Sequence, residues 1–227
     1  MNNKIAIILC GGKGKRLRPI TEKIPKPLVL INEKPILDYI INYLRQSNFS
    51  KIILATGYKA EKIEKFSKGL KSDVAIECIN TGNVDIIERL RAVTKELNED
   101  IFLLYGDTIA DIKFSLLNDA HKKSKLPITI TRYPLKTKFG IVETDKNGLV
   151  ISFREKPILD IWYNIGYMLI NKNFFTELYN FSTFEGFLEH SAKESKINSF
   201  NHTGYHITIN TIEELDYAEK NINKIIQ

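Results

Sequence analysis

Four short apolar runs alternate with segments of helical periodicity in the first half of the chain, and each run leads into a turn that contains glycine. Strands that alternate with helices in this way predict a mostly parallel sheet with helices on both faces. Ligands of such sheets bind beyond the carboxyl ends of the strands. In chain order, the predicted strands are residues 4–10, 51–57, 73–80 and 100–107, and the predicted helices are residues 35–46, 60–68 and 83–97.

In the second half, strand-like runs follow one another closely over residues 127–133, 139–157 and 162–170, with a hairpin turn at residues 145–148. We expect these runs to extend the sheet and to form a small antiparallel flap. Helices return at the end of the chain. The sequence thus predicts an α/β fold with a Rossmann-like, mostly parallel mixed sheet flanked by helices, in one domain over residues 1–227. The final apolar stripe comprises Ile212, Leu215, Ala218, Ile222 and Ile225.

Positive charge is spread through the chain. The formal net charge is +6, but most lysines are scattered among isoleucines and asparagines, as on solvated faces. The clustered exception, residues 9–28, has no interleaved aromatic residues of the kind that stack on nucleic-acid bases. Nucleic-acid binding is therefore not favoured.

Cysteine usage and the first apolar run indicate a cytoplasmic protein. Cys10 and Cys78 are too few for a disulfide framework and match no metal-ligand spacing, so we expect both thiols to be structural. The apolar run before the first glycines is too short for a signal-peptide core or a membrane span. We expect no membrane partner.

Glycines at positions 11, 12 and 14 directly follow the first predicted strand. Their backbone can approach a ligand closely, and the amides around them can donate to phosphate oxygens. The loop matches neither of the two commonest phosphate loops, because Leu17 replaces the third glycine of the dinucleotide fingerprint and no Walker ending is present. The glycines alone are also compatible with an ordinary tight turn.

Two cations favour a phosphate-binding loop over that turn. Arg16 follows the glycines, and Lys26 lies between two prolines that stiffen the backbone around it. Fixed cations near a polyphosphate neutralise the charge that develops in phosphoryl or nucleotidyl transfer. A solvated lysine is the alternative, and it suits Lys13, Lys15 and Lys23 better than Lys26.

The chain resembles the nucleoside-triphosphate:sugar-1-phosphate nucleotidyltransferases in the stretch ILCGGKGKRLRPITEKIPKPLVLINEKPILDYII, residues 8–41. The signature of that family is GGxGxRLxPxTxxxPKPxxxxxxKP. Similarity continues in family order through YGDTIAD, SFREKP, YNIGYML and HITINT, across nearly the whole chain. The resemblance implies the nucleotide-diphospho-sugar transferase fold and the synthesis of sugar nucleotides for cell-surface polysaccharides.

The resemblance also implies a nucleotide site at the glycine loop, with Arg16 and Lys26 on the phosphates. An acceptor phosphate attacks the α-phosphorus in line, and because that phosphate is already largely dianionic, no catalytic base is needed. The implied catalytic residues are Arg16, Lys26, Asp107 and Lys156. The implied residues around the nucleotide are Leu9, Gly11, Gly12, Gly14, Arg16, Lys26 and Gly106.

A magnesium ion is implied as cofactor, held by Asp107 and Asn210. Oxygen ligands suit this hard cation. The alternative is that each residue caps a helix, for which Asn210 is well placed before the last predicted helix. Asp111 is a further candidate ligand.

The implied acceptor site contains Glu155 on sugar hydroxyls and Lys156 on the sugar phosphate, with Gly140, Asn164 and Gly166 nearby. A hairpin salt bridge is the alternative role for Glu155 and Lys156. The segment NIG replaces the more usual NGG or NAG of the family, which predicts a reshaped acceptor pocket.

The choice of base depends on residues 79–93, INTGNVDIIERLRAV. This stretch resembles the TG...GRLKRV element of glucose-1-phosphate cytidylyltransferases, although it lacks the glycine pair of that element. CTP is therefore the favoured donor, with Thr81 and Gly82 near the base and Arg89 near a phosphate. A solvated helix position is the alternative for Arg89.

The acceptor stays open between glucose 1-phosphate, a heptose phosphate and a small non-sugar phosphate. A protein that only binds a sugar nucleotide, as a sensor, is the alternative to an enzyme. Relatives in this family are often oligomers, so a homo-oligomer is compatible with the resemblance.

Overall fold

The computed structural model describes residues 4–225. Among the described residues the α-helices are α1 (Ile20–Lys23), α2 (Ile36–Gln46), α3 (Ala60–Gly69), α4 (Ile86–Thr94), α5 (Phe114–Ser124), α6 (Phe184–Lys193) and α7 (Ile212–Asn221). The strands are β1 (Ile5–Cys10), β2 (Leu30–Ile31), β3 (Lys34–Pro35), β4 (Lys51–Thr56), β5 (Ala75–Asn80), β6 (Ile101–Tyr105), β7 (Thr108–Ala110), β8 (Ile128–Lys136), β9 (Ile141–Thr144), β10 (Val150–Arg154), β11 (Ile158–Ile170), β12 (Ile197–Asn201) and β13 (His206–Thr208).

Seven strands form a central sheet in the order β12-β8-β11-β6-β1-β4-β5. β1 is parallel to both β4 and β6, and β5 is parallel to β4. β11 is antiparallel to both of its neighbours, whereas β12 is parallel to β8. The predicted α/β fold with a mostly parallel mixed sheet is confirmed.

Alternate side chains of the central strands enter two apolar layers, one on each face of the sheet. In β1, Ala6 and Ile8 pack in the layer that contains α2, α3, α5 and α7, whereas Ile5 and Ile7 pack in the layer of α4 and α6. Both faces of these strands are buried, so they appear in the sequence as continuous apolar runs.

The carboxyl ends of β1, β4, β5 and β6 meet along one edge of the sheet. The register pairs Cys10 with Thr56, Thr56 with Asn80, and Leu9 with Tyr105. Each strand is followed within two residues by a glycine, so backbone can be approached along this edge. These glycines are Gly11, Gly57, Gly82 and Gly106.

The predicted flap is a two-stranded antiparallel hairpin of β9 and β10 outside the central sheet. In its turn, the Gly148 amide donates to the Asp145 carbonyl at 3.1 Å. Gly148 has a φ of 86°, which glycine adopts without strain. The predicted hairpin at residues 145–148 is confirmed.

The last quarter of the chain contains helices, as predicted, in α6 and α7, and also two strands that were not predicted. β12 joins the edge of the central sheet beside β8, and β13 pairs with β7. Both strands are short and carry few apolar residues, so periodicity did not indicate them. Of the predicted apolar stripe, Leu215, Ala218, Ile222 and Ile225 are buried, whereas Ile212 is 45% exposed in the first turn of α7.

Within residues 4–225, no helix combines the length and apolar content that crossing a membrane requires.

The two cysteines, Cys10 and Cys78, are free thiols, the first fully buried and the second half-buried. Burial raises the pKa of Cys10, which keeps this thiol protonated and unreactive.

Phe114 connects α5 to the core through ring contacts with Phe49 at 4.9 Å and Phe102 at 5.5 Å between centroids. Phe114→Ala should lower the free energy of unfolding by about 3–5 kcal/mol, because it removes a buried ring and leaves a cavity. Leu116→Ala, on the exposed side of the same helix, should change it by less than about 0.5 kcal/mol. Urea unfolding measures both, and equal losses would contradict the packing described.

Candidate active site

The glycine loop leaves β1 at Gly11 and changes direction at Gly14. Gly14 has a φ of 59°, in the left-handed region that favours glycine. Residues Lys15–Leu17 then form a single 3-10 turn, in which Leu17 is fully buried. The leucine that replaces the third glycine therefore anchors the loop in the core, and the loop presents its amides without an α-helix directly behind it.

A cavity of about 380 Å³ lies beside this loop at the carboxyl edge of the sheet. Three groups of residues line it: one from the glycine loop and the segment around Lys26, one from the connection between β5 and α4 and the start of α4, and one from the end of β6. Its lining residues are Leu9, Cys10, Gly11, Gly12, Lys13, Lys26, Pro27, Asn83, Val84, Asp85, Ile86, Arg89, Tyr105, Gly106 and Asp107. Most of the predicted nucleotide residues thus lie around one cavity.

Lys26 occupies the centre of the site. Its Nζ donates to Asp107 Oδ2 at 2.5 Å and to Asn210 Oδ1 at 2.7 Å. Arg16 Nη2 donates to the same Asn210 oxygen at 2.9 Å. The Lys26 side chain is 12% exposed and that of Asp107 is 24% exposed, so their charges are screened less than those of open surface groups. Lys26 is not a solvated surface lysine.

Neither Asp107 nor Asn210 caps a helix. Thr211 caps α7, because its Oγ1 accepts from the Glu214 amide at 3.2 Å in a reciprocal capping box. The next helix after Asp107 is α5, which begins at Phe114. The capping alternative is therefore wrong for both residues, and their side-chain oxygens are directed at the Lys26 ammonium.

The chemistry of these donors fits a magnesium ion. Asp107 supplies a carboxylate and Asn210 an amide oxygen, and both oxygens lie within 2.7 Å of one atom, Lys26 Nζ. Within residues 4–225, no group of three or more histidine, cysteine or acidic side chains is arranged to hold a metal. Magnesium commonly binds through one or two carboxylates together with substrate phosphates, and this donor set matches that mode.

Asp111 does not join this set. Its Oδ1 lies 3.1 Å from His202 Nε2 and accepts from the Tyr205 amide at 2.7 Å. The Asp111 carboxylate, which follows β7, thus binds the connection between β12 and β13 and has a structural role.

A second cavity of about 750 Å³ shares Arg16, Asp107 and Asn210 with the central cluster. Its other lining residues include Lys138, Tyr163, Asn164, His206, Glu213 and Tyr217. Burial and the nearby His202 lower the pKa of His206 to about 4, so its imidazole is neutral near pH 7. This cavity offers neutral and charged hydrogen-bonding groups next to Asp107.

Glu155 and Lys156 lie in the flap, directly after β10. Lys156 Nζ is 3.6 Å from Glu155 Oε1, and both side chains are about 60% exposed, at 61% and 60%. Gly140 packs against Phe153 and Glu155, because a Cβ there would lie 2.7 Å from the Phe153 ring and 3.1 Å from Glu155 Oε2. Of the predicted acceptor residues, the second cavity is lined by Asn164 but by neither Glu155 nor Lys156.

Asn164 and Gly166 lie where the pairing of β11 with β8 is irregular, next to Tyr105. The Gly166 amide donates to Asn164 Oδ1 at 2.9 Å. Gly166 has a φ of 77°, and a Cβ there would lie 2.4 Å from the Tyr105 ring. Glycine is therefore required for packing, and Ile165 of the NIG segment is buried at the wall of the second cavity.

Arg89 is 3% exposed, so the solvated alternative is wrong. Its guanidinium donates to Thr56 O and Thr81 Oγ1, and also to Gly82 O at 3.2 Å and Val84 O at 3.0 Å. Thr81 and Gly82 thus contact Arg89 directly.

Sequence patterns did not single out several residues that line the cavities. Asn83, Val84 and Asp85 line the first cavity, and Lys138 and His206 line the second. Only the position of the first group in the chain could have indicated a binding role, because these residues follow β5 at the carboxyl edge of the sheet. The second group carries no motif that separates it from ordinary surface residues.

Known proteins match this chain over nearly its full length. The family model described as Nucleotidyl transferase matches residues 5–226. A D-glycero-alpha-D-manno-heptose 1-phosphate guanylyltransferase of Campylobacter jejuni is 34% identical over 218 residues, covering 92% of this chain and 96% of that protein. A Bacillus subtilis protein named "Probable glucose-1-phosphate cytidylyltransferase" is 30% identical, covering 96% of each.

The fold is also that of solved structures. The crystal structure of HddC from Yersinia pseudotuberculosis superposes with a TM-score of 0.76 at 22% identity, covering 96% of this chain and 99% of that one. With the family match and the shared sequence, this likeness confirms the fold and the resemblance seen in the sequence. The chain belongs to the nucleotidyl transferase family, the family of sugar-1-phosphate nucleotidyltransferases.

Proposed function

We propose that this chain transfers a nucleoside monophosphate from a nucleoside triphosphate, held in the first cavity, to a sugar 1-phosphate held in the second. The observation that carries this proposal is the Lys26 ammonium, which joins Asp107 and Asn210 where the two cavities meet. A phosphate oxygen of the acceptor bonds to the α-phosphorus. The bond from that phosphorus to the β-phosphate oxygen breaks, and pyrophosphate leaves with its electron pair.

The residues act by positioning and by charge. The amides of the glycine loop and the ammonium of Lys26 bind phosphate oxygens of the donor, and Arg16 adds a second cation beside Lys26, since both donate to Asn210 Oδ1. Cations held in place before the reaction stabilise the charge that develops at the transferred phosphorus. Asp107 and Asn210 would hold Mg²⁺, which neutralises phosphate charge when it is bound. No side chain has to remove a proton.

The preferred donor in this proposal is GTP and the acceptor a heptose 1-phosphate. The support is the Campylobacter jejuni guanylyltransferase, which is 34% identical and matches from end to end. CTP is the second candidate, supported by the cytidylyltransferase-like residues 79–93 and by the Bacillus subtilis relative.

Because nucleoside triphosphates are cytoplasmic metabolites, we propose that the enzyme acts in the cytoplasm.

Pyrophosphate release tests the donor and the acceptor together. With magnesium and D-glycero-α-D-manno-heptose 1-phosphate, kcat/KM for GTP should exceed that for CTP, UTP, dTTP and ATP by at least about tenfold. A pocket that forms hydrogen bonds with one base leaves its polar groups unpaired when another base is bound. A preference for CTP would support the second candidate instead. Nucleotide binding without release from any pair, over a panel of sugar 1-phosphates, would favour a sensor.

Lys26→Ala and Asp107→Ala should each lower kcat by at least about a hundredfold, since each removes a charged group from the reacting phosphates. Their circular dichroism spectra should match that of the wild type. Lys23→Ala is the matched control, because Lys23 is an exposed lysine three residues before Lys26, and its kcat should be unchanged. Near-normal turnover of either site variant would refute the assignment.

Thr211 and Thr183 cap α7 and α6 in the same way, each through a side-chain oxygen that accepts a backbone amide. Replacing either by alanine should cost about 1 kcal/mol of unfolding free energy. Only Thr211→Ala should also lower kcat, because Thr211 adjoins Asn210. Urea unfolding and turnover measured on both variants check this, and equal turnover would show that the cap does not position Asn210.

A further inference from the structure

Arg89 is a buried cation whose position the proposed reaction does not explain. It lies on α4, and its side chain reaches under the first cavity, which it lines together with Gly11. Within residues 4–225, no carboxylate lies within ion-pairing distance of its guanidinium. Burial lowers the pKa of Arg89, although an arginine stays protonated in proteins.

The terminal nitrogens of Arg89 are fully engaged by the chain itself. Nη1 donates to the Thr56 carbonyl and to Thr81 Oγ1, and Nη2 donates to the carbonyls of Gly82 and Val84. A guanidinium carries two N–H groups on each terminal nitrogen. All four N–H groups of the terminal nitrogens therefore donate to groups of the chain itself.

These four acceptors belong to two segments that border the cavity. Thr56 ends β4, whereas Thr81, Gly82 and Val84 form the connection from β5 to α4. The same connection presents Asn83, Val84 and Asp85 to the cavity. Arg89 thus fixes the backbone from which these lining residues extend.

Two glycines show how closely these parts pack. A Cβ on Gly11 would lie 2.1 Å from Arg89 Cζ. A Cβ on Gly57 would lie 2.3 Å from the Gly82 carbonyl oxygen, far inside van der Waals contact. The phosphate loop, the end of β4 and the connection after β5 therefore share one small volume around the guanidinium.

We propose that Arg89 is a positioning residue that sets base selectivity, by holding residues 81–85 against the base of the bound nucleotide. This inference rests on the proposed function for the identity of the first cavity. The phosphates are bound by the glycine loop and Lys26, while Asn83 and Asp85 supply the polar groups on the base side. Arg89 acts on the nucleotide only through that connection.

The test compares Arg89→Met with Gly57→Ala across GTP, CTP and UTP at a fixed acceptor. The first variant removes the hydrogen bonds to the connection, and the second displaces the Gly82 carbonyl without changing any charge. Both should raise KM for the preferred nucleotide by at least about tenfold and reduce the preference among bases by a similar factor. KM for the acceptor should stay unchanged, and kcat should stay within a few fold.

Gly69→Ala is the matched control, because a Cβ there meets nothing within 4 Å, and its selectivity should equal that of the wild type. Arg89→Lys should restore part of the selectivity, since an ammonium can still donate to the carbonyls. If Arg89→Met does not fold, Gly57→Ala and Thr81→Val carry the same comparison.

An equal loss of kcat/KM for all three nucleotides, with unchanged preference, would overturn the proposal and make Arg89 a phosphate contact. Unchanged selectivity in both variants would also overturn it. Calorimetric binding of the three nucleotides gives the same comparison without turnover. Base-selective binding by a wild type that releases no pyrophosphate would therefore refute the proposed function and leave the role of Arg89 testable.

Discussion

The candidate active site depends on one ammonium group, that of Lys26, which holds together segments far apart in the chain. It contacts Asp107, 81 residues away, and Asn210, 184 residues away. Two cations, Arg16 and Lys26, share the cluster with one carboxylate, so the cluster keeps a net positive charge. A polyphosphate would meet a site whose charge is already arranged for it, which is the condition for catalysis by positioning alone.

The sheet makes this convergence possible. Parallel pairing places the ends of β1 and β6 side by side, and the glycine loop and Asp107 follow these two ends. Asn210 arrives by a different route, because β13 pairs antiparallel with β7 and the Ile209 amide donates to the Asp107 carbonyl at 3.0 Å. The Glu214 carboxylate of the capping box also accepts from the Asn210 amide at 2.6 Å, which ties Asn210 to the start of α7.

The early strands and the glycine loop were predictable from the sequence because their signals are local. Buried parallel strands appear as continuous apolar runs, and glycines mark the turns where backbone is approached. The pairing of β13 with β7 was not predictable, because three residues joined to a distant strand leave no periodic pattern. For the same reason, only the resemblance to relatives indicated Asn210, and its N-cap alternative failed because the neighbouring Thr211 makes the cap.

If residues 81–85 face the base, as proposed, base selection is harder to infer from sequence than phosphate binding, for a physical reason. Phosphates are recognised by glycines and cations, whose identities are themselves the signal. The wall formed by residues 81–85 is instead held through carbonyl groups of Thr56, Gly82 and Val84, which any residue supplies. Similarity to relatives in the helix around Arg89 therefore indicates how α4 packs against the glycine loop, and it does not indicate which base is bound. In the proposed site, the base that fits depends on the few side chains of this connection that line the cavity, Asn83, Val84 and Asp85.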